Sequence, residues 1–125
     1  MGGRGTFASG ISVPYTYKTV GKIAGVKVLE PVNSTDSFSM PAEAHSSKNY
    51  IVLDKLGKFR QYMEYNDKHL PVFEIGYHFE RGISKQGESA FHYHEYSKPG
   101  IENRGKAKPI TPDLYEKYKK YFKGV

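Results

Sequence analysis

Between residues 72 and 96 the chain alternates with a period of two. Phe73, Ile75, Tyr77 and Phe79 alternate with Glu74, Gly76, His78 and Glu80, and further on Phe91 and Tyr93 alternate with His92 and His94. Successive side chains of a strand point to opposite faces, so the pattern predicts strands over 72–80 and 89–96 whose aromatics share a core face. The glycine-containing "RGISKQG" between them turns the pair into an antiparallel hairpin. Upstream, "NYIVLD" and "FRQYMEYN" read as two further strands joined by "KLGK", with Gly57 supplying the turn. In the second of these, Phe59, Met63 and Tyr65 are placed on one apolar face, opposite Arg60, Glu64 and Asn66. "KIAGVKVLEP", 22–31, reads as a fifth strand in which Gly25 marks a bulge.

The pattern changes near the end. Thr111 is a good N-cap, Pro112 suits the first helical position, and Asp113 complements the helix dipole. Leu114, Tyr115, Tyr118, Tyr121 and Phe122 then recur at helical spacing and form one apolar stripe, with Lys119, Lys120 and Lys123 in the last turns. The fold predicted is α+β: an antiparallel meander of about four to five strands with a C-terminal helix packed on one face. Residues 1–18, with "GGRG", "ASG" and Pro14, read as a flexible arm, and 19–125 as a single domain. "NSTDSFSMPAEAHSS", 33–47, is long enough for a functional or mobile loop. "KPGIENRGKAKP", 98–109, links sheet to helix.

Composition narrows the chemistry. The length, 125 residues, suits one domain with a modest core. Cysteine is absent, which excludes disulfides, thiolate metal ligands and a Cys nucleophile. No apolar run approaches the ~20 residues a membrane helix needs, and no apolar leader opens the sequence, so a bacterial cytoplasm or a virion is the expected location. The net charge is +6, and residues 98–125 carry eight Lys/Arg against three Asp/Glu. Such a tail attracts phosphate backbones or acidic protein surfaces. A protein partner is the first expectation, with nucleic acid possible through the basic C-terminal region and no membrane.

Three of the five histidines fall on the even-numbered face of the hairpin. Directly opposed residues of an antiparallel pair share a face, so their numbers sum to an even value. A sum of 170 sets His78 opposite His92 and diagonal to His94, with Glu74 and Glu80 on the same patch and Glu95 on the other side. Three readings stay open. His78, His92 and His94 can hold zinc or another divalent ion through imidazole nitrogen. The same three can act as acid and base in RNA cleavage, with Arg81 or Lys85 steadying the phosphate. Or the patch is a solvated strand face, and no cofactor is involved. Lys106 and Lys108 join Arg81 and Lys85 as candidate binding residues.

The opening "MGGRG…SG", the turn-linked "YIVLDKLGKFRQYMEYND" and the late "HYHEY…G" resemble small phage and prophage proteins of Gram-positive bacteria encoded near head-morphogenesis genes. The middle and the His-rich end are also similar to C-terminal modules of polymorphic toxins, in which a short strand–turn–strand run precedes histidines. Those modules commonly carry a pair such as "PHVH"; here Phe91 and Glu95 flank the pair. The first resemblance implies a non-catalytic interaction protein acting on a virion or host component. The second implies a small ribonuclease.

Overall fold

The computed structural model describes residues 17–31, 40, 41, 44 and 47–125. The expected arm, apart from Tyr17 and Lys18, and most of the 33–47 loop, His45 included, lie outside the described residues. Among the described residues the fold is α+β, a seven-stranded sheet in sequential order with one C-terminal α-helix. The strands are β1 (Tyr17–Ile23), β2 (Val26–Pro31), β3 (Asn49–Leu53), β4 (Phe59–Tyr65), β5 (Pro71–His78), β6 (Ala90–Glu95) and β7 (Lys108–Pro109). Neighbours pair antiparallel except β2 and β3, which are parallel.

The sheet is larger than the four to five strands expected, for two reasons. Ala24 and Gly25 both take positive φ, 48° and 83°, the backbone of a tight two-residue hairpin turn. Gly25 is therefore a turn rather than a bulge, and the stretch read as one strand is the end of β1, the turn and β2. The bulge falls instead near Val20, where the β1–β2 register shifts between Thr19 and Gly21. At the other edge, the segment read as a linker contributes β7, which pairs with His92 and Tyr93.

Both faces of the sheet are packed. On one lie Val26, Val28, Ile51, Phe59, Tyr62 and Ile75, covered by Tyr118, Tyr121 and Phe122. Tyr118 ends the α-helix α1 (Pro112–Tyr118), Tyr121 ends the 3-10 turn after it, and Phe122 follows directly. Thr111 caps the helix as expected, its hydroxyl accepting from the Leu114 N–H at 3.2 Å. On the other face Tyr17, Leu29, Tyr50, Val52, Met63 and Tyr65 form a second core, with Met40 and Ala44 packed on it. Phe59 was expected beside Met63 and Tyr65 but lies on the opposite face. Leu53 pairs with Phe59 while Val52 pairs with Gln61, so one extra residue in β4 reverses the side-chain parity. No helix among the described residues is long and apolar enough to cross a membrane.

Candidate functional site

The second core stops at β4. Beyond it, β5 and β6 present Glu74, Gly76, His78, His92 and His94 on the same face. The expected parity holds within β5 and β6, but Phe79, expected on the core face, falls beyond the end of β5 and is 52% exposed, and the register is two residues away from the expected one. His92 lies opposite Gly76, Glu74 opposite His94, and His78 opposite Ala90. Nor is the face a solvated one: Glu74, His92 and His94 are only 2%, 1% and 5% exposed. Polar groups buried this deeply need partners, and those partners divide the face into two halves.

The first half is a closed network around Glu74. Arg104 donates to its carboxylate from both Nε (2.8 Å) and Nη2 (3.0 Å). Tyr96 Oη donates at 2.7 Å and Gln61 Nε2 at 3.0 Å. The Tyr96 hydroxyl is pushed well above its ordinary range by burial and by the neighbouring Glu74 carboxylate, so it stays protonated and donating. Arg104 reaches this point because the 96–105 segment folds back along β6. Tyr96 bridges to Arg104, and the Gly105 N–H donates to the Glu95 carbonyl at 2.8 Å. Gly105 fits this approach because a Cβ there would lie 2.6 Å from that carbonyl oxygen. His94 belongs to the same network. Its Nδ1 lies 2.8 Å from the Gly105 carbonyl and its Nε2 3.0 Å from Arg104 Nη2. A carbonyl only accepts and a guanidinium only donates, so Nδ1 carries the hydrogen and Nε2 is the acceptor. Both ring nitrogens of His94 are thereby occupied.

The second half is open. His78 Nδ1 lies 2.9 Å from the Phe79 carbonyl and His92 Nδ1 3.0 Å from the Ala90 carbonyl. Both rings therefore hold their hydrogen on Nδ1 and leave Nε2 bare when neutral. The two rings meet edge to face, 4.5 Å between centroids, above Gly76. A Cβ at position 76 would come within 2.8 Å of His92 Nε2 and 3.1 Å of His78 Nε2, so the rings occupy the space that only glycine leaves. Glu80 completes the group, its Oε1 3.5 Å from His92 Nε2. That nitrogen is buried and has no hydrogen-bond partner among the described residues.

Burial holds the His92 pKa below its ordinary value, so this histidine is neutral where a free one begins to charge. The contact with Glu80 is thus not an ion pair at neutral pH. The sign for stability follows from linkage. The unfolded chain takes up the His92 proton near pH ~6.5, whereas the folded chain resists it. This contribution to stability is present above that pH and is lost as pH falls through the lowered folded value.

The cationic candidates lie elsewhere. Arg81 and Lys85 are exposed on the β5–β6 turn and form no ion pair among the described residues. Lys106 is exposed on the returning segment. Lys108 is engaged with Glu95 at 2.9 Å and sits 5.9 Å over the Tyr93 ring. Glu95 faces away from the histidines, as expected. Sequence reasoning missed Arg104, Tyr96, Gln61 and the role of Gly76. It also missed a cleft of about 350 Å³ at one end of the sheet, lined among others by Leu56, Lys58, Arg60, Tyr77 and His78. Comparison of the chain with protein-family models, curated proteins and solved structures finds no match.

Proposed function

We propose that this is a small, non-catalytic binding protein that engages an acidic face of a partner protein, a virion or host component, through the cleft at the end of the sheet. The observation that carries this reading is the composition of that cleft and its rim. Leu56 is 80% exposed at the tip of the β3–β4 turn. Beside it, Lys58 and Arg60 form no ion pair among the described residues, and Tyr77 lines the wall. An exposed apolar anchor flanked by free cations and a tyrosine is the chemistry of a protein interface. The +6 net charge attracts acidic surfaces to the protein. The resemblance to small phage proteins supports a virion or host component as the partner.

The turn is built to hold this surface. Asp54 Oδ1 accepts from the Leu56 and Lys58 N–H groups, both at 2.9 Å, and Gly57 takes the positive φ of 80° that closes the loop. The Lys123 carbonyl accepts from the Phe59 N–H at 2.8 Å, which ties the C-terminal segment to the same end.

A ribonuclease is the second reading, because His78 borders this cleft with a bare Nε2. His94, with both nitrogens bonded, and His92, only 1% exposed, are poorly placed to share acid–base work with it. One experiment separates the two. Protein retained from phage-infected host extract is compared between wild type, Lys58→Glu/Arg60→Glu and, as a control, Lys85→Glu, while wild type and His78→Ala are incubated with RNA. A specific protein band lost at least about tenfold by the double reversal alone supports the binding reading; tenfold is ~1.4 kcal/mol, a modest loss for two interface charges. RNA cleavage by wild type that His78→Ala abolishes supports the ribonuclease.

A further inference from the structure

We infer that His78, His92 and Glu80 form a binding site for a divalent transition-metal ion of the zinc class. The site shares His78 with the wall of the cleft but depends neither on Leu56, Lys58 and Arg60 nor on the identity of any partner. One ligand atom from each residue lies within 4.8 Å of the others. The hydrogen bonds of the two rings set which nitrogens are bare. Each Nδ1 donates to a backbone carbonyl, which leaves each Nε2 as a lone pair turned over Gly76. Metal-bound imidazoles are commonly held this way, through a hydrogen bond from the other ring nitrogen.

Three acceptors therefore converge: two bare nitrogens and a carboxylate oxygen. Acceptors packed together without a donor repel one another, and His92 Nε2 is enclosed with no hydrogen-bond partner among the described residues. A cation among them removes the conflict. An ion about 2.1 Å from each ligand of a tetrahedral site requires ligand atoms about 3.4 Å apart. The 3.5 Å between His92 Nε2 and Glu80 Oε1 meets that requirement. Imidazole nitrogens select zinc, copper, nickel or iron over calcium or magnesium, which prefer oxygen. With one carboxylate and two neutral rings, the fourth position is left for water or an anionic oxygen.

His94 is excluded from the site because Arg104 occupies its Nε2. The ligand set thus differs from the three histidines singled out from sequence. The local chain is also fixed. Glu80 opens a tight turn in which its N–H donates to Ser84 Oγ at 2.8 Å and its carbonyl accepts from the Ser84 N–H, also at 2.8 Å.

The test uses the full chain without an affinity tag, stripped of metal and titrated with Zn²⁺ and with Co²⁺. Wild type is expected to bind one Zn²⁺ per chain, and its Co²⁺ form to show the visible absorption of a tetrahedral site. Glu80→Gln and His78→Ala remove ligands that are not fully buried, and each is expected to lower Zn²⁺ affinity about 100-fold or more, at least the effect of losing an outer-shell partner. Gly76→Ala keeps all three ligands but places a methyl between the rings, and is expected to abolish the Co²⁺ spectrum. His94→Gln, which keeps an acceptor for Arg104, is expected to bind as wild type does. Circular dichroism establishes that each variant is folded. Absence of stoichiometric Zn²⁺ binding by wild type, or equal binding by folded Glu80→Gln and His78→Ala, overturns the inference.

Discussion

Removing residues 111–125 is expected to leave a chain without a cooperative thermal transition. Three of the deleted side chains, Tyr118, Tyr121 and Phe122, are buried in the core between helix and sheet. Phe122 packs on Phe59 at 4.8 Å and on Phe91 at 4.7 Å, and Tyr121 stacks on Tyr62 at 4.8 Å with an interplanar angle of 12°. Tyr118 stacks on Phe73 at 5.4 Å. At roughly 1.5–3 kcal/mol for each large side chain, the loss is about 5–9 kcal/mol. A small domain has only ~5–15 kcal/mol in all. Polar ties go as well. Tyr118 Oη donates to Glu64 Oε2 at 3.0 Å, and the Lys123 carbonyl accepts from the Phe59 N–H. The measurement is circular dichroism against temperature; a truncated chain that melts cooperatively at an unchanged temperature contradicts the packing described.

Replacing Arg104 by leucine is expected to cost about 3 kcal/mol, the lower end of the cost of leaving a buried charge without its partner. The lower end applies because the Arg104 side chain is itself 42% exposed, so water can enter when it is gone. Glu74 would keep Tyr96 and Gln61 but lose both guanidinium bonds, and His94 Nε2 would lose its donor. Urea unfolding measures the change. Adding Glu74→Gln to Arg104→Leu is expected to recover part of the loss, because the orphaned charge is removed with it. A double variant less stable than the single one contradicts the assignment of Glu74 as a buried, charge-compensated carboxylate.

The face assignment in β5 and β6 was legible, since a strict period of two admits only two answers. The register was not. A slip of two residues keeps every side chain on its own face, so periodicity cannot separate His78 from Gly76 as the residue opposite His92. The start of the helix was legible from Thr111 and Pro112, and the apolar stripe from Tyr118, Tyr121 and Phe122, but the α-helix ends at Tyr118 and a 3-10 turn carries the chain on to Tyr121. The parity change in β4 was not, because a bulge leaves no mark in the pattern around Arg60. The polar face looked solvated because local sequence carries no trace of what covers it. Arg104 lies 30 positions from Glu74 and reaches it only through the return of the chain along β6. The available signal was Arg104 itself, set before Gly105 in a segment otherwise read as a linker. Glu80 was seen as part of the patch but not as a ligand, since its role depends on which nitrogens of His78 and His92 are bare.

The side-chain nitrogen spectrum of the ¹⁵N-histidine-labelled, metal-free protein tests most directly which nitrogens of His78 and His92 are bare. The hydrogen bonds to the Phe79, Ala90 and Gly105 carbonyls predict that the neutral rings of His78, His92 and His94 carry their hydrogen on Nδ1. His92 is expected to keep that state as pH falls through the ordinary histidine range near ~6.5. An Nε2–H tautomer at His78 or His92, or a His92 that is already an imidazolium at neutral pH, would contradict the convergence of bare nitrogens above Gly76.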